Sequence, residues 1–425
     1  MRVLWLCNIM LPTIAEALGK EASNKEGWLT GLSDKLLKHS TETDITLGVC
    51  FPVGKDSAPI SGTVGDLQYF GFPEDTAKPE NYDESIEEYL LEIVEDFNPD
   101  VIHVFGTEYP HTLAMTRCLK EKEKLLIGIQ GLCFAIAGAY MADLPEKIQN
   151  RYLFRDFVKQ DNLRQQQEKF AKRGAMEQES LRNALHVTGR TAWDKETVLA
   201  VNPCLTYHFM NETLRAPFYE NKWQVQECEP YSIFLSQGNY PLKGLHYVLQ
   251  ALPQICEKYP AAKLYVAGDK ITAYKSIKEK IKIGSYGKYC LSLIWKYNLQ
   301  DKVMFLGKLG SEEMCRQYLN SHVFLSASSM ENSSNSMGEA MLLGMPVVSS
   351  EVGGIPSMLT HEKEGLLYPA GDIQALAEAV CRMFADETAA TQYGERARER
   401  ALKTHDAEAN FNRLLEIYRE LAEGQ

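Results

Sequence analysis

Short apolar runs alternate with helical patterns along the whole chain. In the first half the runs are Val3–Cys7, Ile45–Cys50, Val101–Phe105, Leu125–Ile129 and Leu185–Thr188. In the second half they are Ile233–Ser236, Lys263–Ala267, Val303–Leu306, Val323–Ser326 and Val347–Ser349. Such runs suit strands covered on both faces. Leu245, Val248, Leu249, Leu252 and Ile255 fall at helical spacing, as do Phe411, Leu414, Leu415, Tyr418 and Leu421 near the end. Strands alternating with helices predict parallel α/β sheets. The polar stretch Pro217–Pro230 separates the two sets of runs. It predicts two sheets joined by a linker.

Two Rossmann-like domains facing each other would leave a cleft, and clefts between domains favour small-molecule sites. The length, 425 residues, agrees with two or three domains of ~150 residues each. The net charge of −12 argues against nucleic acid as a partner. The ten cysteines are scattered, with no CxxC pair. They read as reduced packing thiols in a cytoplasmic protein. No apolar run approaches the ~20 residues of a membrane span. At the N-terminus, Arg2 precedes an apolar run and Ala15-Glu16-Ala17 mimics a signal-cleavage site. Asn8 interrupts that run, and a buried first strand accounts for it better.

Candidate chemistry concentrates in Ser326–Gly354, where Glu331 and Glu339 stand eight positions apart. After the strand Val323–Ser326 comes the polar loop Ser328–Asn335, then a helix predicted at Met337–Leu343. Gly344 suits its C′ position and Pro346 stops it. Ser336 and Glu339 match an S-x-x-E capping box, which is the structural reading of Glu339. A carboxylate near a helix start can also accept hydrogen bonds from a ribose diol, while backbone N–H groups meet anionic oxygens. Glu331 has no capping task. Gly353-Gly354 lets backbone approach a ligand closely. In Ser232–Gly244 a strand ends in a polar turn, and a helix begins near Lys243. A lysine there adds full charge to the helix's partial positive charge, which suits a diphosphate.

These pieces in order resemble retaining glycosyltransferase family 4, of GT-B architecture. The resemblance rests on the Lys243-Gly244 turn, K-L-Y-V-A-G-D at Lys263–Asp269 and V-x-F-L-G at Val303–Gly307. It also rests on the paired glutamates followed by G-x-P-V-V and V-G-G-I-P, and on E-G-L-L-Y-P at Glu364–Pro369. It implies that Lys243 contacts the donor diphosphate, Glu339 holds the ribose and Glu331 lies by the transferred sugar. Backbone of Asn332, Ser333, Ser334 and Asn335 would bind sugar or phosphate oxygens. The implied domains are an acceptor-side domain 1–216, a nucleotide-sugar domain 217–404 and a helix 405–425 crossing back to the first. The implied reaction is transfer from a nucleotide-sugar donor to an acceptor hydroxyl with retention. No cofactor or metal is expected, because fixed cations and amides can stabilise the leaving diphosphate. Two positions depart from the family. Gly238 stands where an arginine is usual, and Asn332-Ser333-Ser334 replaces Gly-Phe-Gly.

The first half carries the acceptor-side candidates. Glu108 and His111 are placed in a loop after Val101–Phe105, whereas His103 lies within the strand and reads as packed. Gln130 stands where many relatives carry a histidine. It can hydrogen-bond a sugar but cannot act as a base. Arg190 ends a strand. It reads either as one half of an ion pair or as a cation that reaches the diphosphate or the acceptor, compensating for Gly238. The early segment Asn8–Trp28 includes Lys20 and Lys25. Arg151–Arg173 is locally basic, with seven Lys/Arg against three Asp/Glu. Such runs are usually solvated faces, but they also suit anionic lipid at the inner face of a membrane and a lipid-linked acceptor. The rival functions are a nucleotide-sugar epimerase or hydrolase of the same fold, and a non-catalytic nucleotide-sugar-binding partner.

Overall fold

The computed structural model describes residues 1–20, 27–38 and 44–424. Lys25 lies outside them. The chain forms two compact units that are not contiguous in sequence. Met1–Ala135, Lys169–Thr213 and His405–Gln425 make the first, and Ile136–Glu168 with Leu214–Thr404 make the second.

The strands of the first unit are β1 (Arg2–Leu6), β2 (Thr46–Gly54), β3 (Ile60–Val64), β4 (Leu67–Glu74), β5 (Val101–Phe105), β6 (Leu125–Gly128), β7 (His186–Gly189) and β8 (Thr206–Phe209). Among the described residues they form one sheet in the order β3-β4-β2-β1-β5-β6-β7-β8. All pairs are parallel except β3 with β4. Strand β1, the run that mimics a leader, lies near the middle of the sheet with Val3–Leu6 fully buried. Trp5 Nε1 donates to the Tyr418 hydroxyl at 2.9 Å, and His103 Nδ1 lies 2.8 Å from the same oxygen. The helix Ala407–Glu423 is thereby fastened to this sheet.

Strands β3, β4 and β8 are absent from the sequence expectation. The middle of β3 is exposed and polar, β4 is broken by Gly71 and Pro73, and β8 is an edge strand of four residues. Edge strands lack the continuous apolar run that marks buried ones, and in the interior strand β4 glycine and proline interrupt it.

The second unit contains β9 (Glu229–Leu235), β10 (Lys263–Ala267), β11 (Val303–Gly307), β12 (Ser321–Ser326), β13 (Val347–Ser350) and β14 (Leu366–Tyr368). Its order is β11-β10-β9-β12-β13-β14, and every pair is parallel. The chain winds outward from β9 to β11, then restarts beside β9 with β12. This doubly wound order places a topological switch point between β9 and β12, at whose carboxyl ends ligands bind in such sheets.

Two boundaries differ from expectation. The stretch after Pro217 is no linker. Pro217–Glu220 is a helical turn, Phe218 and Trp223 are buried with Phe234, Tyr318 and Phe324, and Trp223 Nε1 donates to Ser321 O at 2.8 Å. Its charged residues disguise aromatic anchors. Residues 136–168 belong to the second unit rather than to a contiguous 1–216 domain. Ala142 O lies 2.8 Å from His246 Nε2, Tyr247 donates to Asp143 at 2.8 Å and Ser285 donates to Asp156 at 2.8 Å. These contacts are remote in sequence, so local pattern cannot announce them.

In the first unit Glu177 is fully buried, and burial pushes its carboxyl up to about 8. The Thr107 hydroxyl donates to Gly131 O at 3.2 Å and also lies against Glu177 Oε1, while Phe134 N donates to Glu177 Oε2 at 3.1 Å. A protonated Glu177 fits this pattern by donating to Thr107. The folded state then keeps a proton that the unfolded chain loses near pH 4.5, so stability falls as pH rises from about 5 to about 8. Thermal melts should show that slope. Glu177→Gln, which preserves the neutral hydrogen bonds, should flatten it.

Candidate functional site

The site is built by the two loops that leave the sheet at its switch point. β9 exits through Ser236–Tyr240 into a 3-10 turn, Pro241–Lys243, and then the helix Leu245–Lys258. β12 exits through Ala327–Ser334 into the helix Asn335–Leu343. The loops are in direct contact. Ser329 N donates to Leu242 O at 2.8 Å. Gly244 has φ +70°, and a Cβ there would lie 1.8 Å from Ala327 O, so only glycine permits this approach.

That approach brings Lys243 and Glu331 together. The Lys243 ammonium donates to Glu331 Oε1, and Ser328 Oγ donates to the same oxygen at 2.8 Å. Burial opposes charge on Lys243, but Glu331 and Tyr240 outweigh it and hold the ammonium above its ordinary value. A third loop follows β13. Gly354 N donates to Glu331 O at 3.0 Å. At Gly353, φ is +49° and a Cβ would lie 2.1 Å from that oxygen. Glu331 is thus gripped at its backbone by the Gly-Gly turn and at its carboxylate by Lys243 and Ser328.

Glu339 does not cap its helix. The helix begins at Asn335, and Ser334 Oγ accepts from Met337 N at 3.3 Å, so the cap lies two residues before the predicted Ser336. Glu339 is buried and takes a two-pronged hydrogen bond from Arg215, at 2.6 Å from Nε and 2.7 Å from Nη2. Burial raises its carboxyl above the ordinary value, and the Arg215 fork opposes that rise. Sequence reasoning missed Arg215, which stands in an irregular Leu214–Ala216 stretch without periodicity. Gly238 contributes backbone alone. Its missing side chain would point at Val266 and Leu245, the nearest atom being 2.9 Å away. Asn332 and Ser334 are buried in the loop, and Ser333 and Asn335 are half-buried.

Of the candidates in the first unit, Gln130 and Arg190 meet on one carboxylate, whereas Glu108 and His111 follow β5. Glu108 follows β5, and its carbonyl accepts from Arg173 Nε at 3.0 Å. His111 is not in a loop. It occupies the first turn of the helix Pro110–Cys118 and is fully buried, its Nδ1 lying 2.8 Å from Glu74 Oε2. Pro110 is the N1 residue of that helix, and burial withdraws the imidazole from an acceptor. Gln130 Nε2 donates to Glu212 Oε1 at 2.7 Å, and Arg190 Nη1 donates to Glu212 Oε2 at 2.6 Å. Glu212, another residue the sequence did not single out, therefore makes Arg190 one half of a buried ion pair.

The glycines offer a direct check of the loop contact. Gly268 also has positive φ, +93°, but nothing lies within 4 Å of its Cβ position. Gly268→Ala should cost only the backbone strain, about 1–2 kcal/mol. Gly244→Ala adds a backbone clash and should cost at least ~2 kcal/mol more. Denaturant unfolding of the two variants measures the difference.

Residues 217–400 match the profile of the family described as "Glycosyl transferases group 1". The chain is similar to the N-acetyl-alpha-D-glucosaminyl L-malate synthase of Bacillus anthracis, at 24% identity over 366 residues covering 84% of this chain and 82% of that one. It is also similar to the D-inositol 3-phosphate glycosyltransferase of Corynebacterium urealyticum, at 27% identity over 186 residues, 42% of this chain and 41% of that one. Among solved structures, sucrose-phosphate synthase from Thermosynechococcus elongatus shares the fold with a TM-score of 0.73 at 17% identity, covering 100% of both chains. The Anabaena HepE structure in complex with UDP gives 0.64 at 14% identity, over 99% of this chain and 100% of that one. Over residues 217–400, then, the chain resembles the glycosyl transferases group 1 family, and its two parallel-sheet units have the GT-B fold.

Proposed function

We propose that this protein moves a sugar from a nucleotide-sugar donor to an acceptor hydroxyl with retention at the anomeric carbon. The observation that carries it is the meeting of Lys243 and Glu331 at the switch point of the second sheet. Cation, carboxylate and the start of the helix Asn335–Leu343 converge where an anionic ligand is best received. Lys243 stabilises charge on the departing diphosphate. Glu331 lies by the sugar, and Glu339, oriented by Arg215, takes the ribose. Gly353 and Gly354 hold the backbone of Glu331 in place. In the resting structure Glu331 neutralises Lys243. An arriving diphosphate competes for the ammonium and frees the Glu331 carboxylate for the sugar, so donor binding and arming of the site are one event. No metal is invoked, since the charge on the leaving group can be met by Lys243 and backbone dipoles. The acceptor, a sugar or a lipid-linked sugar, is assigned to the first unit, with Glu108 and Gln130 as its contacts. Arg190, paired with Glu212, acts there as a positioning residue. One relative named above is a D-inositol 3-phosphate glycosyltransferase, and HepE was solved with UDP, which supports a nucleotide-sugar donor.

Thermal-shift measurements across nucleoside diphosphates and nucleotide sugars test donor binding. A matching ligand at a hundred times its Kd should stabilise the protein by about 2.7 kcal/mol. Lys243→Ala and Glu331→Ala should each lower kcat/KM with labelled donor by about 10²–10³. No stabilisation by any of these ligands would overturn the reading. Conversion of the donor sugar without an acceptor would replace transfer by epimerisation or hydrolysis.

A further inference from the structure

The apolar faces of two short helices in the second unit point at solvent. Seven of the eleven exposed large apolar side chains among the described residues come from two segments: Tyr152, Phe154, Phe157 and Val158, then Tyr274, Ile277 and Ile281. In the helix Phe154–Lys159, residues 154, 157 and 158 share one face at i, i+3 and i+4. In the helix Ile277–Lys282, residues 277 and 281 do the same at i, i+4. The two helices pack against each other, so their apolar faces belong to one local surface.

The polar anchoring shows that this orientation is enforced. Asp156, on the opposite face of its helix, is buried and accepts from Leu153 N at 2.9 Å and from Ser285 Oγ at 2.8 Å. An ordinary surface helix buries its apolar stripe and exposes its acid. Here the acid is inside, and Phe154 and Phe157 are 65% and 63% exposed. Contiguous exposed apolar surface of this kind marks an interaction site.

Charge identifies the partner. Lys159, Lys275, Lys278, Lys280 and Lys282 are exposed around the patch. The acids of the two segments are already engaged. Asp156 is buried, Asp161 pairs with Arg155 at 3.2 Å, and the Glu279 carboxylate accepts from Lys275 N at 2.6 Å and Ser276 N at 2.9 Å. The result is an apolar face rimmed by cations on a chain of net charge −12. Aromatic and aliphatic side chains bordered by lysines match the boundary between headgroups and acyl chains of an anionic bilayer. Next to the patch lies a cavity of about 460 Å³ of mixed charge, lined by Arg155, Lys270 and Lys282 with Asp161, Asp269 and Glu279, and reaching Tyr240, three residues before Lys243. A surface docked here therefore adjoins the loop that carries the candidate diphosphate cation.

We infer that the helices Phe154–Lys159 and Ile277–Lys282 form a docking surface for an anionic lipid bilayer. Insertion of the aromatic and isoleucine side chains gives the affinity, and the lysines select anionic headgroups. The interaction does not depend on catalysis, so it stands or falls apart from the transferase reading.

Vesicle co-sedimentation of the full chain tests it, with phosphatidylcholine alone and with phosphatidylcholine containing phosphatidylglycerol. Binding should require the anionic lipid and weaken with salt. The variant Phe154→Ser/Phe157→Ser/Ile277→Ser should lose binding. Lys275→Gln/Lys278→Gln/Lys280→Gln should weaken it by on the order of a hundredfold, at about fivefold per lysine. All substituted side chains are exposed, so both variants should keep the wild-type Tm and donor turnover. Failure of the wild type to sediment with anionic vesicles, or equal binding to both compositions, overturns the proposal. So does a wild-type dimer that the apolar variant abolishes in the absence of lipid binding, since that assigns the face to a second copy of the chain.

Discussion

The close approach of the two loops at the β9–β12 switch point is the constraint on which the second unit's site depends. Gly244 lets the start of one helix rest on the carbonyl of Ala327. The Ser329–Leu242 backbone hydrogen bond locks that contact. A side chain at position 244 would push the two loops apart, and with them Lys243 and Glu331. The Gly353-Gly354 turn repeats the same device from a third strand. Absent side chains, rather than present ones, make the cluster possible.

The two glutamates of this region are held by opposite means. Glu331 is on a loop, its carboxylate matched to a cation that a ligand can take over. Glu339 is on a helix, buried, with both oxygens occupied by the Arg215 fork. Both oxygens accept from one guanidinium in a fixed plane, which sets the carboxylate's orientation more firmly than a single contact can. One glutamate is therefore held by a single lysine and a hydroxyl, while the other is fixed by a planar fork.

Much of the fold was legible because buried parallel strands announce themselves. Val101–Phe105 and Lys263–Ala267 match their runs residue for residue, since both faces of each strand are covered. The edge strands Ile60–Val64 and Thr206–Phe209 were not legible, because a polar or half-covered strand carries no such run. Lys243, Glu331 and Glu339 were legible as candidates from strand–loop–helix order. Their partners were legible only in part. Arg215 and Glu212 stand in irregular segments, far in sequence from the groups they hold, and nothing local distinguishes them from surface charges.

By itself, then, the sequence determined the periods: which runs are strands, where helices intervene, and which loops carry carboxylates, lysine and paired glycines. Those are local properties, set by backbone geometry and the covering of each face. The tertiary structure alone decided the membership and the pairing. It moved residues 136–168 to the second unit, buried Phe218 and Trp223 in a stretch that reads as a linker, withdrew His111 into a helix against Glu74, and gave Glu339 to Arg215. It also turned Phe154, Phe157 and Ile277 outward. Each of these depends on which groups meet across long sequence separations, and the free energy of burying or pairing a side chain is set by those neighbours rather than by the residue's own type.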